Sequence, residues 1–198
     1  MLDLLIDLGS IYEDSPSDGA AAARLRSAAA QVSDATALAQ AAWNFPMAGH
    51  VVEILAGRAL ELEPQNEQAL EILATARLLR DGQILKDGTA EAIRNFADAC
   101  PTNMRALRFL AELQQSRSDA DGLEATCRTM LSLDPLAATG HELRARMLAT
   151  SGDTTAAADV LRKYVSSASS HGASHNEDLA RMRSKLERFE RGDQDALL

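Results

Sequence analysis

The sequence predicts an all-α protein made of stacked helical hairpins. Only 4% of its residues are aromatic, while alanine is abundant, and this composition suits closely packed helices better than sheets. Apolar residues recur with the 3–4 spacing of a helix face, as at Leu70, Leu73 and Ala74. Part of the chain also repeats: Ala111 and Ala145 lie 34 residues apart in matching helical contexts.

Residues 1–32 are predicted to form N-terminal helices that pack on the first repeat. Residues 13–19 form an acidic, turn-rich linker between them, and residues 20–31 are rich in alanine. The first of these helices is short and amphipathic, and its apolar face is formed by Leu2, Leu5, Ile6 and Leu8.

Residues 33–166 are predicted to hold about four helical hairpins. Ser33 or Asp34 can cap the first helix of this region, which is expected to end near Phe45, before Pro46. Gly152 suits the left-handed conformation that ends a helix. Small or medium residues recur where successive helices would cross, namely Ala74, Ala111 and Ala145 in first helices, and Ala92, Leu123 and Ala157 in second helices.

The second hairpin is irregular. Ala74 and Ala92 are 18 residues apart, whereas the equivalent residues of each of the last two hairpins are 12 apart. The additional residues fall in the stretch Arg80–Gly88. Either the helices are longer by about a turn there, or a short loop projects.

The C-terminal part is predicted to contain a flexible linker followed by a helix. Residues 167–175 are rich in serine and glycine, which is typical of flexible linkers. Residues 176–198 are expected to form a capping helix and tail. A narrow apolar stripe would cover the open end of the stack or, alternatively, pack on a partner or a second copy; it consists of Leu179, Met182, Leu186 and Phe189.

The repeats resemble those of the tetratricopeptide repeat (TPR) family, which have a 34-residue period, small residues at crossing points and a closing acidic-Pro pair. Glu91-Ala92-Ile93, followed by Phe96 and Ala99, matches the second helix of that pattern, and Glu63-Pro64 and Asp134-Pro135 match its end. The Trp and Tyr of the family's first helix are nearly absent, although Trp43 can stand in for one aromatic. The resemblance implies a right-handed superhelical stack whose first helices line a concave, protein-binding surface.

The charge of the chain argues against several classes of partner. The net charge is −9, and residues 1–20 contain five acidic residues and no Lys or Arg. Without a Lys/Arg-rich run, binding to nucleic acid or to an anionic membrane is not expected. The first residues lack a basic segment, and no apolar run reaches the roughly 20 residues of a membrane span. We therefore expect a cytoplasmic protein.

No catalytic or metal-binding motif is found in the sequence, so neither enzymatic activity nor a cofactor is expected. His171 and His175 fall in the Gly/Ser-rich linker, so we interpret them as solvated rather than as zinc ligands. His50 and His141 are interpreted as partly exposed helix residues. Cys100 and Cys127 are separated by 27 residues, do not form a CxxC motif and are expected to be buried free thiols.

Arginines on the first helices are the candidate functional residues. A groove for an acidic peptide is predicted from Arg77, Arg105, Arg108, Glu112 and Arg146. The guanidinium group suits carboxylates because its planar fork of donors matches them. The alternative is that these arginines pair at the surface with neighbouring acids such as Glu71, Glu112 and Glu142.

The predicted function is that of a non-catalytic protein–protein interaction module, an adaptor or scaffold, that binds a peptide or protein in its concave groove. Two alternatives stay open. The chain can be the regulatory portion of a larger enzyme, or it can be a unit that self-associates into a homo-oligomer by exchanging the Leu2–Leu8 or Leu179–Phe189 helix between copies.

Overall fold

The computed structural model describes residues 1–82, 85–171 and 176–197, without the side chains of residues 171, 176, 194 and 195. These residues form eleven α-helices, one short 3-10 helix and no strand, so the all-α prediction is confirmed. The helices are α1 (Leu2–Asp14), α2 (Gly19–Ala30), α3 (Ala35–Ala42), α4 (Gly49–Leu62), α5 (Glu67–Asp81), α6 (Asp87–Ala99), α7 (Met104–Ser116), α8 (Ala120–Leu133), α9 (Ala138–Thr150), α10 (Thr154–His171), α11 (Asn176–Glu190) and the 3-10 helix Gln194–Leu197. The chain divides into two compact units, Met1–Ala106 and Leu107–Leu198.

In the first unit, helices that follow each other in sequence pack on each other. The pairs α1–α2, α3–α4 and α5–α6 form hairpins, α4 also packs on α5, and α3 packs on α5. The N-terminal helices α1 and α2 contact the α3–α4 hairpin. Fully buried side chains from five helices form the core of this unit, among them Leu5, Leu25, Leu38, Leu55 and Ile72.

Side-chain caps begin three helices of the first unit. The carboxylate of Asp18 accepts a hydrogen bond from Ala20 N at 2.8 Å, and that of Asp34 accepts one from Ala37 N at 3.1 Å. The Asn66 side chain accepts from Ala69 N at 3.0 Å. Each bond satisfies a backbone N–H that has no partner within its helix. Of the two caps that the sequence allows for α3, the structure uses Asp34.

Two helix ends differ from the sequence prediction. α1 continues through the buried Tyr12 to Asp14, and α2 begins at Gly19, so only residues 15–18 form the turn. α3 ends at Ala42, earlier than expected, because Asn44 Nδ2 donates hydrogen bonds to the carbonyls of Gln40 and Ala41. These bonds satisfy carbonyl groups at the helix end.

The irregular stretch between α5 and α6 includes residues 83 and 84, which lie outside the described residues, so a projecting loop there stays a prediction, and α5 is longer by two residues rather than by a turn. α5 has 15 residues whereas α7 and α9 have 13 each, and a connection of several residues follows it. Gly82 ends α5 with a φ of 60°, a backbone conformation that glycine adopts at little cost. The Asp81 carboxylate links the end of α5 to the start of α6, because it accepts hydrogen bonds from Lys86 N, at 3.2 Å, and from the Thr89 hydroxyl.

In the second unit, α8, α9, α10 and α11 pack in sequence order, and α11 also contacts α9. The predicted linker of residues 167–175 differs from the structure, because α10 continues to His171. The burial of Ala168 keeps this serine-rich segment packed as part of the helix, and the Ser169 and Ser170 hydroxyls donate to the carbonyls of Val165 and Ser167. Residues 172–175 lie outside the described residues.

The apolar stripe of α11 packs inside its own unit. Leu179, Met182 and Phe189 are buried with Leu161 and Tyr164 of α10, and Leu186 lies partly buried beside them. α11 therefore covers the α9–α10 hairpin rather than leaving its stripe open to solvent.

The turn before α10 places Gly152 at a φ of 89°, as predicted.

Candidate functional site

The first helices of the first unit present a polar surface around Arg105. The Arg105 guanidinium contacts the Glu71 carboxylate of α5 and lies 5.9 Å from the centre of the Trp43 ring. Asn103 Nδ2 donates a hydrogen bond to the Glu67 side chain at 2.5 Å. We call Trp43, Glu67, Glu71, Asn103 and Arg105 the α5–α7 surface. Glu71 of α5 and Arg105 of α7 lie 34 residues apart, so two residues separated by one repeat interval connect successive first helices.

Arg77 belongs to a different face of α5. Its Nε and Nη2 each lie 2.8 Å from a Glu53 carboxylate oxygen, and its Nη1 donates to the Gly88 carbonyl at 2.8 Å. The hydrogen bonds to Glu53 raise the pKa of Arg77 above its ordinary value. Because its donors are directed to α4 and to the start of α6, Arg77 does not join Arg105 in one site.

In the second unit, Arg146 is held by several acceptors. Its Nε donates to the Leu197 carbonyl at 2.6 Å, its Nη1 lies 3.4 Å from Gln115 Oε1, and its Nη2 lies 3.7 Å from the Glu142 carboxylate. Arg146 also lines a cavity of about 290 Å³ between α7, α8 and α9, which we call the α7–α9 cleft. Its other lining residues include Gln114, Leu123, Met147 and Thr150.

Arg108 and Glu112 form a surface pair on α7. Their charged groups lie 3.7 Å apart one helical turn from each other, and both side chains are about half exposed. The Arg108 guanidinium is also 5.6 Å from the centre of the Phe109 ring. A pair of this kind stabilises a helix by about 0.3–0.5 kcal/mol, so it can exchange its partner for a ligand at little cost.

All four predicted groove arginines thus have carboxylate partners, which is the alternative that the sequence leaves open. Glu71, Glu112 and Glu142 are the acids that this alternative names, and they contact Arg105, Arg108 and Arg146 respectively. Arg77 is instead paired with Glu53, an acid that the sequence does not single out.

The second unit has a second cleft, which the sequence analysis does not predict. It lies between α8, α9 and α10 and has a volume of about 470 Å³; we call it the α8–α10 cleft. Three cations line it, namely Arg128, Arg144 and Lys163, and no carboxylate does. Its apolar wall consists of Leu131, Leu136 and Val160.

One acid next to this cleft balances only part of its charge. Glu124 lies 3.1 Å from Arg128 Nε and 3.4 Å from Arg144 Nε. The second contact joins two buried atoms without the alignment of a hydrogen bond. Lys163 is exposed and makes no ion pair with any residue that the structure describes. Asp134 is a second acid nearby, since its charge acts on His141 of the cleft. Three cations against two carboxylates still leave the cleft with a surplus of positive charge.

The signal that could identify this cleft is again the repeat. Arg128 and Lys163 lie in successive second helices and are separated by 35 residues, close to one repeat interval. Such a spacing brings residues of stacked hairpins together. The sequence reasoning considers first helices only, and so it does not include either residue.

His141 is buried next to the α8–α10 cleft, although the sequence predicts partial exposure. Its Nε2 lies 3.0 Å from the Pro135 carbonyl and its ring is 5.3 Å from that of Tyr164. Burial lowers the pKa of His141, and the charge of Lys163 and Arg144 lowers it further. The ring is fixed by this packing and by its contact with the Pro135 carbonyl. His50 is half-buried, as expected, and lies 3.2 Å from the Tyr12 carbonyl.

Neither cysteine is an activated thiol. Cys127 is fully buried, and desolvation raises its pKa to about 11; Cys100 is half-buried, and its pKa is also raised by desolvation. The thiolate is the reactive form, so both shifts disfavour nucleophilic chemistry. In the part of the chain that the structure describes, no three His, Cys, Asp or Glu side chains converge as a metal site.

Comparison with known proteins does not assign the chain to a family. No protein-family model matches it, and a search of curated proteins finds no similar sequence. Among the described helices, none has both the length and the apolar character needed to cross a membrane.

Proposed function

We propose that this chain is a non-catalytic protein-binding module whose hairpins stack as in the TPR family, in a right-handed superhelix. Its first helices, α3, α5, α7 and α9, would line the concave surface and bind a peptide or protein segment. This assignment makes the protein an adaptor or scaffold. A cytoplasmic location fits its two free cysteines, since disulfides are rare in reducing compartments.

The observation that carries the proposal is the contact between Glu71 and Arg105. The two residues are one 34-residue interval apart and join successive first helices side by side, and α3 packs on α5 in the same way. A hairpin stack of this type leaves one row of helices free to bind a ligand. Trp43 beside Arg105 adds an aromatic group of the kind that is enriched at protein interfaces.

The chemistry of these surfaces favours an acidic ligand. Arg105 and Arg108 are each about half exposed, and their partners Glu71 and Glu112 are carboxylates that a ligand carboxylate can replace. The exposed Arg108–Glu112 pair is weak, so exchange there costs little, whereas Glu71 is only 17% exposed and a ligand that recruits Arg105 must compete with a more buried carboxylate. The exchange would be most effective where the ligand also covers an apolar or aromatic group such as Trp43.

Affinity capture from native lysate, with mass spectrometry, tests the proposal in each unit separately. Arg105→Gln alters the first unit and Arg108→Gln alters the second, while Arg24→Gln is the matched control. Arg24 is an exposed arginine of α2 that has no ion pair among the described residues. We expect at least one protein to be captured by the unaltered chain and by the control, and to be lost with one of the two α7 variants. Capture of the same proteins by all four chains would contradict the role of these surfaces.

A further inference from the structure

The outer face of α1 combines carboxylates with exposed apolar side chains. We define this face by Asp3, Leu4, Asp7, Ile11 and Asp14, whose spacing places them on one side of the helix. Leu4 is 48% exposed and Ile11 is 52% exposed. The three carboxylates make no ion pair with any residue that the structure describes, and residues 1–20 contain no Lys or Arg.

The opposite side of α1 already holds it to the protein. Leu5, Gly9 and Tyr12 are buried against neighbouring helices, so the outer face is not needed for the core of the unit. Large apolar side chains on a surface cost free energy that a partner can recover, since about 25 cal/mol is gained for each Å² of apolar surface buried.

The α8–α10 cleft has the complementary properties. It carries Arg128, Arg144 and Lys163 against the carboxylates of Glu124 and Asp134, and its wall of partly exposed apolar residues faces the same cavity. On a chain with a net charge of −9, this local surplus of positive charge is exceptional. Its charge suits an acidic helix, and its wall suits branched apolar side chains.

We propose that the outer face of α1 docks into the α8–α10 cleft of a second copy of this chain. Leu4 and Ile11 would cover the apolar wall, while the carboxylates of the face would approach the cations that Glu124 leaves unbalanced. The inference goes beyond the proposed function, because it uses the cleft between α8, α9 and α10 and leaves the α5–α7 surface free for another ligand.

Such a contact joins two different surfaces of the chain. It is therefore either a heterologous contact that extends from copy to copy or, when two copies exchange their α1 faces reciprocally, a closed two-fold dimer whose interface as a whole is isologous. α1 is about 20 Å long at 1.5 Å per residue, so one contact is smaller than a standard interface of about 1,600 Å². Self-association is accordingly expected at roughly micromolar concentrations and above, and it should weaken as salt increases.

Sedimentation velocity from about 1 μM to about 500 μM, at low and high salt, tests the proposal. One charge variant alters the cleft (Arg128→Glu with Lys163→Glu), and the other alters α1 (Asp3→Lys, Asp7→Lys and Asp14→Lys). Each variant alone places like charges on both surfaces. We expect each to weaken self-association by about tenfold or more, because like charges across an interface repel.

A mixture of the two charge variants provides the decisive measurement. The acidic α1 of the first variant fits the unaltered basic cleft of the second, and the basic α1 of the second fits the acidic cleft of the first. Mixing should therefore restore association, which neither a folding defect nor a general effect of net charge can produce. Failure of the mixture to associate, when both variants retain the helical circular dichroism of the unaltered chain, would overturn the proposal.

The apolar half of the contact has its own test, in case a charge variant fails to fold. Ile11→Ser changes an exposed residue and should weaken self-association several-fold, whereas Met47→Ser, at an apolar residue that is 75% exposed elsewhere in the same unit, should not. Arg94→Glu, at an exposed arginine of α6, is the charge control. A chain that stays monomeric at every concentration, or an Ile11→Ser variant that associates as well as Met47→Ser, would also overturn the proposal.

Discussion

Most ion pairs of the described residues are at least partly exposed. Arg77 forms a stronger pair than the others. Two nitrogens of its guanidinium group bond to the two carboxylate oxygens of Glu53, and the third donates to a backbone carbonyl. Two parallel hydrogen bonds fix the guanidinium in direction as well as in position. Arg105 and Arg108 are each about half exposed and lie beside an aromatic ring as well as a carboxylate, and they are the arginines that we expect a ligand to recruit.

Buried Cys127 predicts a loss of stability at alkaline pH. Desolvation raises its pKa from 9.0 to about 11 in the folded chain. Above pH 9 the unfolded chain loses the thiol proton while the folded chain retains it, so the free energy of unfolding should fall between about pH 9 and about pH 11. Urea unfolding at pH 8 and at pH 10.5 measures this difference.

The matched variant for this measurement is Cys127→Ala. It removes the thiol, so its own decline between the two pH values should be smaller than that of the unaltered chain, even though the small cavity lowers its stability at pH 8. An equal decline in both chains would show that Cys127 is not the group responsible.

Helices are the part of this protein that its sequence predicts best. The 3–4 spacing of apolar residues locates the helices of the repeats, and Asp34 caps α3 as its position suggests. Helix ends are less predictable because a few hydrogen bonds or a single buried side chain can decide them. Asn44 ends α3 early through bonds to two carbonyls, and the burial of Ala168 keeps α10 helical in a segment whose composition resembles a linker.

A pair of glycines tests how closely these helices pack. A Cβ atom at Gly9 of α1 would lie 2.7 Å from two carbons of the buried Phe45 ring and 3.3 Å from Val51 Cγ1. A Cβ atom at Gly57 of α4 would meet nothing within 4 Å. Gly9→Ala should lower the free energy of unfolding by about 1–2 kcal/mol, because overpacking exceeds the gain in helix propensity.

Gly57→Ala should raise the free energy of unfolding by about 0.5–1 kcal/mol, since only helix propensity changes there. Chemical denaturation of both variants measures the contrast. Stabilisation by Gly9→Ala would mean that α1 does not approach Phe45 as closely as the structure places it.

At the scale of the whole molecule, the repeat governs what could be predicted and what could not. Its period indicates a stack of hairpins, and the described residues form an all-α protein in which consecutive helices pack on each other. It does not indicate which way each arginine points. Arg77 and Arg105 both lie on predicted first helices, yet they bond to different neighbours.

The α8–α10 cleft illustrates why the candidate sites were only partly predictable. Its charge arises from residues that three helices contribute, and Lys163 gains significance only because no acid of the described residues pairs with it. Sequence spacing gives the face of one helix, whereas a cleft depends on how several helices pack. Local composition therefore predicts the elements, and tertiary packing selects the surfaces.

Hydrogen–deuterium exchange of the chain with and without a captured partner tests the central claim, that the first helices form the binding surface, most directly. The measurement is made at a concentration and salt at which the chain alone is monomeric, so that self-association does not contribute. We predict slower exchange in α3, α5, α7 or α9 on binding, because a bound ligand suppresses local opening of the helices that it contacts. Slower exchange confined to the second helices α4, α6, α8 and α10 would contradict the claim.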